Sequence, residues 1–378
     1  MDIPMTSPTS TPPHLVIAGG GTGGHLFPGV AVAQAFERLA PGARVTFVGT
    51  ERGIEARVVP GLGYDLERVD VVGLKGSGAL GVMRGLSRLP RSGLQARSII
   101  KRLAPSVVVS VGGYAAGPIT LAASLSGVPT ALMEQNAIPG LTNKLLARVV
   151  THAFLTFEES APHLGGVSFS VPGNPVREEL LKLAQTFAYE APAAEGPFRV
   201  LIVGGSGGAG SFNEHLPGWF KAMGDLQTRL EVRHQAGRNR AEAVRPRYEG
   251  FGGQVQVEEF IDDMAEAYRW CDLLICRAGA TTIAEVLNLG LPAIYVPFPQ
   301  AADDHQRFNA RSVVEAGAGV MLNDAELGSE RAVNLLSGLM RNPESLLRIA
   351  TAARRIGRPD AAETIAARLL AMAGKDLP

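Results

Sequence analysis

Small and polar residues that could hold a phosphorylated ligand are concentrated in residues 277–310. The pattern predicts a buried strand over residues 273–276, then a turn of small residues, then a helix opened by a capping-box spacing of Thr282 and Glu285. The unpaired N–H groups and positive dipole end of a helix N-terminus suit a diphosphate. Small residues at positions 278–280 would let such a ligand approach the backbone closely.

A polar loop follows the next predicted strand, over residues 297–306. It carries amide, carboxylate and imidazole groups at Gln300, Asp303, Asp304, His305 and Gln306. Ligands of open α/β sheets bind at the carboxyl edge of the strands. We therefore expect this loop beside the helix start, and a phosphorylated ligand that also carries hydroxyl groups. In an alternative interpretation, Thr282 and Glu285 only cap the helix.

Length and composition predict two soluble α/β domains of ordinary size. The chain has 378 residues, of which 46% are hydrophobic and 19% are charged, so it can bury a sizeable core. Lys+Arg and Asp+Glu are balanced at 36 each, so no excess of charge favours a nucleic-acid partner. With two cysteines and no signal-peptide pattern, the cytosol is expected, and residues 1–14 are predicted to be a disordered tail.

Strands alternate with helices along the whole chain, and both halves contain a glycine-rich turn with G-x-G-x-x-G spacing. The turns comprise Gly19, Gly21 and Gly24 in the first half, and Gly205, Gly207 and Gly210 in the second. One such turn favours a dinucleotide such as NAD, with Glu51 as the ribose carboxylate. Two turns, separated by a loose linker over residues 187–197, favour a ligand held between two domains.

His25 lies where the first glycine turn meets the next helix. Its reference pKa near 6.5 would let it accept a proton from a ligand at neutral pH. A structural role is the alternative for a single histidine in such a position. Pro28, a few residues further on, is predicted to occupy the first turn of that helix.

Residues 71–102 carry seven basic side chains, Arg84, Arg88 and Arg91 among them, and no acidic one. Apolar residues lie between them, which fits an anionic lipid surface. An ordinary amphipathic helix with a solvated basic face is the alternative. Residues 103–133 carry no charged side chain, so a membrane span must be considered, but proline and glycine interrupt this run repeatedly. Two buried strands joined by a helix fit that run better.

With these residues in view, the chain resembles the MurG family, the UDP-N-acetylglucosamine:N-acetylmuramyl-(pentapeptide) pyrophosphoryl-undecaprenol N-acetylglucosaminyltransferases. The resemblance extends over residues 15–373. It rests on seven ordered motifs, which are GGTGGHLFPGVAVA (19–33), VGGYAAGP (111–118), EQN (134–136), GNPVR (173–177), GGSGGAGSFN (204–213), EFIDDM (259–264) and RAGATTIAE (277–285).

The resemblance implies an α/β fold of the GT-B type, with two Rossmann-like doubly wound domains and a cleft between them. Residues 15–175 would form the domain that faces the acceptor and the membrane, and residues 176–358 the domain that binds the UDP-sugar. A final helix over residues 359–374 is expected to pack back on the first domain.

The implied reaction is an inverting transfer of GlcNAc from UDP-GlcNAc to the C4 hydroxyl of the muramyl sugar in lipid I, which yields lipid II and UDP. No cofactor and no tightly bound metal are expected. The implied location is peripheral, at the cytoplasmic face of the cell membrane, on anionic lipid and beside other proteins of cell-wall synthesis.

By resemblance, His25 would be the catalytic base, and His25, Tyr114 and Glu134 would lie on the acceptor side. Glu285 would bind ribose hydroxyls, and the helix start after Gly279 would face the diphosphate. The donor-binding residues would be Thr22, Gly23, Gly24, Asn136, Arg177, Ser206, Ile261, Ala280, Thr281, Thr282, Ile283, Ala284, Glu285 and Gln306.

Two departures from the family pattern stand out. Met133 precedes the EQN triplet, where the family often has histidine, and the loop over residues 299–305 differs in length and residues. Three alternatives to the transferase remain at this stage. They are a UDP-GlcNAc 2-epimerase, an NAD-dependent dehydrogenase and a non-catalytic nucleotide-sugar-binding subunit.

Overall fold

The structure, a computed structural model, describes residues 12–51, 53–71, 79–205 and 207–374, with side chains left undescribed over residues 79–90. The strands form two separate sheets, and all of their pairings are parallel. Two parallel sheets with helices between successive strands confirm the doubly wound α/β architecture predicted for both halves.

The first sheet has seven strands in the order β3-β2-β1-β4-β5-β6-β7. Its strands are β1 (His14–Gly19), β2 (Arg44–Gly49), β3 (Asp65–Arg68), β4 (Val107–Gly112), β5 (Thr130–Glu134), β6 (His152–Leu155) and β7 (Phe169–Ser170). The helices that accompany it are α1 (Gly23–Leu39), α2 (Glu55–Gly61), α3 (Ala79–Leu103), α4 (Ala116–Leu125) and α5 (Leu141–Leu146), with a 3-10 helix over Glu158–Leu164.

The second sheet has six strands in the order β10-β9-β8-β11-β12-β13. Its strands are β8 (Phe198–Val203), β9 (Leu230–Gln235), β10 (Gln254–Glu258), β11 (Leu273–Cys276), β12 (Ala293–Tyr295) and β13 (Val320–Met321). The remaining helices are α6 (Glu178–Thr186), α7 (Gly210–Lys221), α8 (Ala241–Val244), α9 (Met264–Trp270), α10 (Ala280–Leu289), α11 (His305–Glu315), α12 (Glu330–Met340), α13 (Pro343–Ile356) and α14 (Ala361–Met372). Short 3-10 helices cover Gly224–Arg229, Arg245–Tyr248, Ala302–Asp304 and Asp324–Glu326.

In each sheet the strand order reverses at one point, between β1 and β4 in the first sheet and between β8 and β11 in the second. Ligands bind at such switch points because the loops diverge there and leave a crevice. In the first sheet the two loops meet closely. The Gly20 N–H donates to the Gly112 carbonyl at 3.1 Å, and a Cβ on Gly19 would lie 2.0 Å from that same oxygen. Only glycine fits there.

The last helix crosses to the first sheet. Ile365 and Leu369 of α14 are fully buried, in the cluster that also contains Leu15 and Ile17 of β1. The small and aliphatic residues of α14 recur at helical spacing, so one face of the helix is apolar and packs against α1. The C-terminal segment thereby fastens the two halves of the molecule together.

Some local details differ from what the sequence indicates. The motif EFIDDM (259–264) lies mostly before a helix, since α9 begins only at Met264, where the Asp263 carboxylate accepts from the Glu266 N–H at 2.8 Å and caps it. The strands β3, β7 and β13 were not predicted. Pro28 lies in the second turn of α1 rather than the first, because the helix already begins at Gly23.

Candidate active site

Two helix N-termini from different halves of the molecule face each other. α1 begins directly after the first glycine turn, and α10 begins after Gly279. Within the described chain, neither helix start has a hydrogen bond from its N-cap side chain. The Thr281 hydroxyl donates to the Gly24 carbonyl at 3.4 Å. Both positive helix ends therefore border one interdomain space, which suits a ligand with negatively charged groups.

Pro28 explains why the Gly24 carbonyl can accept a bond from the other half. In an α-helix that carbonyl would accept from the N–H four residues later, which is the position of Pro28. Proline has no N–H, so the carbonyl is left to another donor. The Thr281 hydroxyl takes that place. The proline of the first motif thus contributes to the contact between α1 and α10.

The first glycine turn is filled by a carboxylate of the chain itself. Glu55 is 1% exposed. Its Oε2 accepts from the Gly21 N–H at 2.8 Å, and its Oε1 accepts from the N–H and hydroxyl of Thr50 at 2.8 and 3.0 Å. This carboxylate occupies the backbone cradle in which a dinucleotide phosphate would lie. Glu51, the ribose carboxylate of the dinucleotide interpretation, is exposed instead. The geometry does not support NAD at this turn.

Glu285 is a buried partner of two side chains rather than part of a capping box. The N-cap of α10 is Gly279, so the capping-box interpretation of Thr282 and Glu285 is wrong. The Glu285 carboxylate accepts from Arg177 Nη2 at 3.3 Å and from the Tyr268 hydroxyl at 2.9 Å. Burial raises the pKa of Glu285, and the cation of Arg177 and the hydroxyl of Tyr268 oppose that rise.

The loop after β5 is organised by Glu134. Its Oε1 accepts from the Asn136 N–H at 2.9 Å, and its Oε2 accepts from the Gly140 N–H at 3.2 Å and from Asn143 Nδ2 at 2.8 Å. Burial raises the pKa of Glu134, while these donors lower it. With 2% exposure, this carboxyl shapes its own loop. Its contact with an acceptor stays a prediction.

Arg277 holds the second switch point together, a role that the sequence did not indicate. Its Nη1 donates to Asp324 Oδ1 at 2.6 Å and its Nη2 donates to the Ser211 hydroxyl at 2.8 Å. Its guanidinium lies 4.4 Å from the centroid of the Phe212 ring. Arg277 thus ties the loop after β11 to the start of α7, with little of its charge left exposed.

A cavity of ≈ 640 Å³ opens at this edge of the second sheet. It is lined by the second glycine turn, by Thr282 at the start of α10, and by Gln306. The Gln306 side chain accepts from the Phe298 N–H at 2.9 Å, so it stabilises the polar loop as well. The structure therefore brings the glycine turn, the helix start and the amide of the predicted donor site to one place.

The other predicted donor residues are distributed around the same edge. Ile261 is 2% exposed and belongs to the core cluster that contains Ala280, Ile283 and Ala284. Asn136 and Arg177 are half-buried. Asn136 follows β5 of the first sheet, whereas Arg177 directly precedes α6 and donates to Glu285 of α10. Gly23 and Gly24 begin α1, next to the exposed Thr22. Ser206 lies outside the described residues.

His25 packs against the glycine turn that follows β4. A Cβ on Gly112 would lie 3.2 Å from His25 Nε2, which leaves room only for glycine. Tyr114, just beyond this turn, is 47% exposed. Burial lowers the pKa of His25, the nearby charge of His305 lowers it further, and a bond to the Gly20 carbonyl opposes both. His25 is therefore neutral at pH 7 and can accept a proton.

A pH profile tests this electrostatic environment. Because the pKa of His25 lies below 6.5, the neutral imidazole is lost only as the pH falls through that lower value. We expect kcat/KM to decline on the acid side with a midpoint below 6.5. His305→Gln removes the electrostatic contribution of His305 that lowers the pKa of His25, so this midpoint should move upward. A midpoint that is the same in both proteins would contradict the assignment of His25 to this limb.

Two parallel sheets whose switch points border one interdomain space, with helix starts that converge on it, are the architecture expected of a two-domain GT-B enzyme. Sequence comparison agrees. The Glycosyltransferase family 28 N-terminal domain matches residues 15–155, and the Glycosyltransferase family 28 C-terminal domain matches residues 199–365.

The chain is 46% identical to a Myxococcus xanthus (strain DK1622) protein over 93% of this chain and 91% of that protein. It is 42% identical to a Geobacter sulfurreducens protein over 96% and 99% of the two chains. Both are named UDP-N-acetylglucosamine--N-acetylmuramyl-(pentapeptide) pyrophosphoryl-undecaprenol N-acetylglucosamine transferase. The crystal structure of Acinetobacter baumannii MurG matches with a TM-score of 0.79 and 32% identity, over 95% of this chain and 100% of that one.

The chain therefore belongs to the MurG family, as its seven motifs indicated. It is a glycosyltransferase, and the two-domain GT-B fold is confirmed. A UDP-GlcNAc 2-epimerase from Neisseria meningitidis, bound to UDP-GlcNAc, also matches with a TM-score of 0.65, but at 14% identity over 95% and 99% of the two chains. That likeness shows a common fold alone.

Within the described residues, no three His, Cys, Asp or Glu side chains are grouped so that they could hold a metal ion.

Proposed function

We propose that this enzyme transfers N-acetylglucosamine from UDP-GlcNAc to the C4 hydroxyl of the muramyl sugar in lipid I, forming lipid II and UDP with inversion at the anomeric carbon. The names of relatives at 42% and 46% identity support the two substrates. The observation that carries the mechanism is the pair of helix starts that face each other across the interdomain space.

The donor lies against the second domain, with its diphosphate at the start of α10. The helix end and the N–H groups of residues 280–282 then stabilise the charge that develops as UDP leaves, without reorganisation during the reaction. The carboxylate of Glu285 binds ribose hydroxyls from the position in which Arg177 and Tyr268 hold it. Gln306 and the second glycine turn close the other side of the cavity.

His25 acts as the base. The bond between the anomeric carbon and the muramyl O4 forms while the bond to the β-phosphate oxygen breaks, and the proton of the C4 hydroxyl passes to His25. A neutral imidazole is needed for that transfer, and burial keeps it neutral by lowering the pKa of His25. His25 comes from the first domain and the leaving group from the second, so both domains must be in place.

An assay with purified protein distinguishes the candidate functions. With labelled UDP-GlcNAc and a lipid I analogue, the transferase should form a disaccharide product and one UDP for each sugar transferred. A 2-epimerase would convert UDP-GlcNAc to its C2 epimer without acceptor. A binding subunit would retain the sugar nucleotide and form neither product, and either result would overturn the proposal.

We infer that the first domain binds the membrane surface through α3, α4 and α5. Large exposed leucines lie on these three neighbouring helices, at Leu94, Leu121, Leu125, Leu141 and Leu145. Exposed basic residues accompany them, among them Arg91 and Arg97. The side chains of Arg84 and Arg88 lie outside the described part of α3. Exposed apolar groups beside cations suit anionic lipid, in which the acceptor is anchored. None of the described helices is long and apolar enough to cross a membrane.

Vesicle binding tests this surface. Leu94 and Leu125 are 72% and 81% exposed, and insertion of a leucine into lipid contributes about 1.5–3 kcal/mol. Changing both to Ser should therefore lower partitioning into phosphatidylglycerol vesicles by roughly tenfold or more. Leu347→Ser, on the exposed face of α13 in the other domain, is the matched control and should bind like the wild type. Equal binding of all three proteins would exclude this surface.

A further inference from the structure

A single buried amide connects the two halves of the molecule beside the donor site. Asn309 of α11 is fully buried. Its Oδ1 accepts from the Ala137 N–H at 2.8 Å, in the loop after β5. Its Nδ2 donates to Asn136 Oδ1 at 3.1 Å and to the Ala278 carbonyl at 3.3 Å. The amide therefore joins a loop of the first sheet to the residue that precedes the N-cap of α10.

Backbone partners fix the orientation of this amide. The Ala137 N–H can only donate, so an oxygen must face it, and the Ala278 carbonyl can only accept, so an N–H must face it. Because the same Nδ2 faces Asn136, the facing atom of Asn136 must be its own Oδ1. The Asn136 Nδ2 is thereby turned the other way, where Glu134 Oε1 lies 3.4 Å from it.

The backbone at this connection is packed into the core of the second half of the molecule. Ala137 is 1% exposed, although it belongs to the first half of the chain. It lies in the core cluster of the second half, with Ile283 of α10 and Ala310 of α11. A displacement of Asn309 would therefore act on both sides, on the Asn136 side chain and on the backbone that leads into α10.

We propose that Asn309 is a positioning residue for the transfer reaction. Through its amide, it orients Asn136 so that the Asn136 N–H that does not face Glu134 is offered to an oxygen of the sugar nucleotide, and it sets the distance between that side chain and the start of α10. This inference rests on the proposed donor site. It adds that Asn309, which is fully buried and cannot contact the donor, sets the geometry of the site.

Asn309→Asp tests the NH₂ group of the amide independently of its oxygen. The substitution keeps an oxygen for the Ala137 N–H but places a second oxygen against those of Asn136 and Ala278. The Asn136 amide then turns its N–H toward the new carboxylate and presents its carbonyl to the ligand. We expect kcat/KM for UDP-GlcNAc to fall by roughly 10- to 100-fold, the scale of a misplaced binding group. The Ala137 N–H should stay protected from hydrogen exchange, whereas Asn309→Ala should lose both protection and activity.

Asn288→Asp is the matched control, because the Asn288 side chain is also buried but its Nδ2 donates to the Ala284 carbonyl of its own helix. It should keep its kinetic constants even if it melts earlier. A cycle with Asn136→Ala completes the test. If Asn309 acts through Asn136, adding Asn309→Asp to Asn136→Ala should change kcat/KM by less than about twofold. Asn309→Ala gives the same comparison if the aspartate variant does not fold.

Three results would overturn the inference. They are an Asn309→Asp enzyme within about twofold of wild type, a control that loses as much activity as Asn309→Asp, or effects of Asn136 and Asn309 that multiply in the double variant. Each is read against wild-type transfer in the same assay. An inactive wild type would instead overturn the proposed function.

Discussion

Replacing His25 with Ala should lower kcat by roughly 10²–10⁴-fold, the contribution of a general base that takes a proton in the transition state. The donor should bind as before, because the diphosphate site proposed above is at the start of α10 in the other half of the molecule. The measurement is steady-state transfer at saturating UDP-GlcNAc and lipid I analogue, with donor affinity followed separately by competition with UDP.

His163→Ala is a suitable control for this prediction. His163 lies in the 3-10 helix Glu158–Leu164 of the same domain, and its side chain is exposed. It should retain full turnover. If His25→Ala keeps kcat within a few-fold of wild type, His25 supports the Gly112 turn by packing alone, and another group must accept the proton.

The fold could be predicted because the residue patterns that indicate its strands and helices lie within short stretches of the sequence. Runs such as residues 15–18 and 198–203 are short, apolar and followed by glycine, which is typical of buried parallel strands. The strands that were missed lack this pattern. β3 has the sequence DLER with two exposed ends, and β7 and β13 have only two residues each. All three lie at an edge of a sheet, where burial on both faces is not required and alternation is weak.

The site was predictable in part for the same reason. Glycine turns and a helix start are visible in the order of residues, and the structure gathers them at the two switch points. The partners that hold them are distant in sequence. Glu55 reaches Gly21 across 34 positions, and Asn309 reaches Ala137 across 172. A polar residue between apolar ones in a helix hints at such a bond, but spacing alone does not name its partner.

The capping-box interpretation of Thr282 and Glu285 also failed because it used only the local sequence. The spacing of these two residues matches a capping box, and the sequence pattern alone would explain Glu285 fully by that role. The helix starts at Ala280 instead, with Gly279 as its N-cap, and Glu285 faces inward to Arg177 and Tyr268. A buried carboxylate at the border of two domains is costly unless it is paired. Its presence there needs a reason beyond the helix, and ribose recognition provides one.

Replacing Glu285 with Ala should raise the KM for UDP-GlcNAc by roughly 10- to 100-fold, since a hydrogen bond to a charged group contributes about 1.5–3 kcal/mol. The effect on kcat should be smaller, because the ribose is bound equally in the ground and transition states. UDP, which keeps the ribose, should lose affinity as an inhibitor by a similar factor. Glu285→Gln keeps the shape and one acceptor oxygen, so its KM should lie between those of wild type and Glu285→Ala.

Glu179→Ala separates ribose binding from the support of Arg177. Glu179 also pairs with Arg177, at 2.9 Å, but its side chain is 63% exposed. If Glu285 served only to hold Arg177, the two variants should change the donor KM to the same small extent. If Glu285 binds the ribose, Glu179→Ala should leave the donor KM at its wild-type value while Glu285→Ala raises it. The exposed Glu179–Arg177 pair contributes little to stability, because solvent screens it. If Glu285→Ala alone lowers the melting temperature strongly but leaves the donor KM unchanged, Glu285 has a structural role and does not bind the ribose.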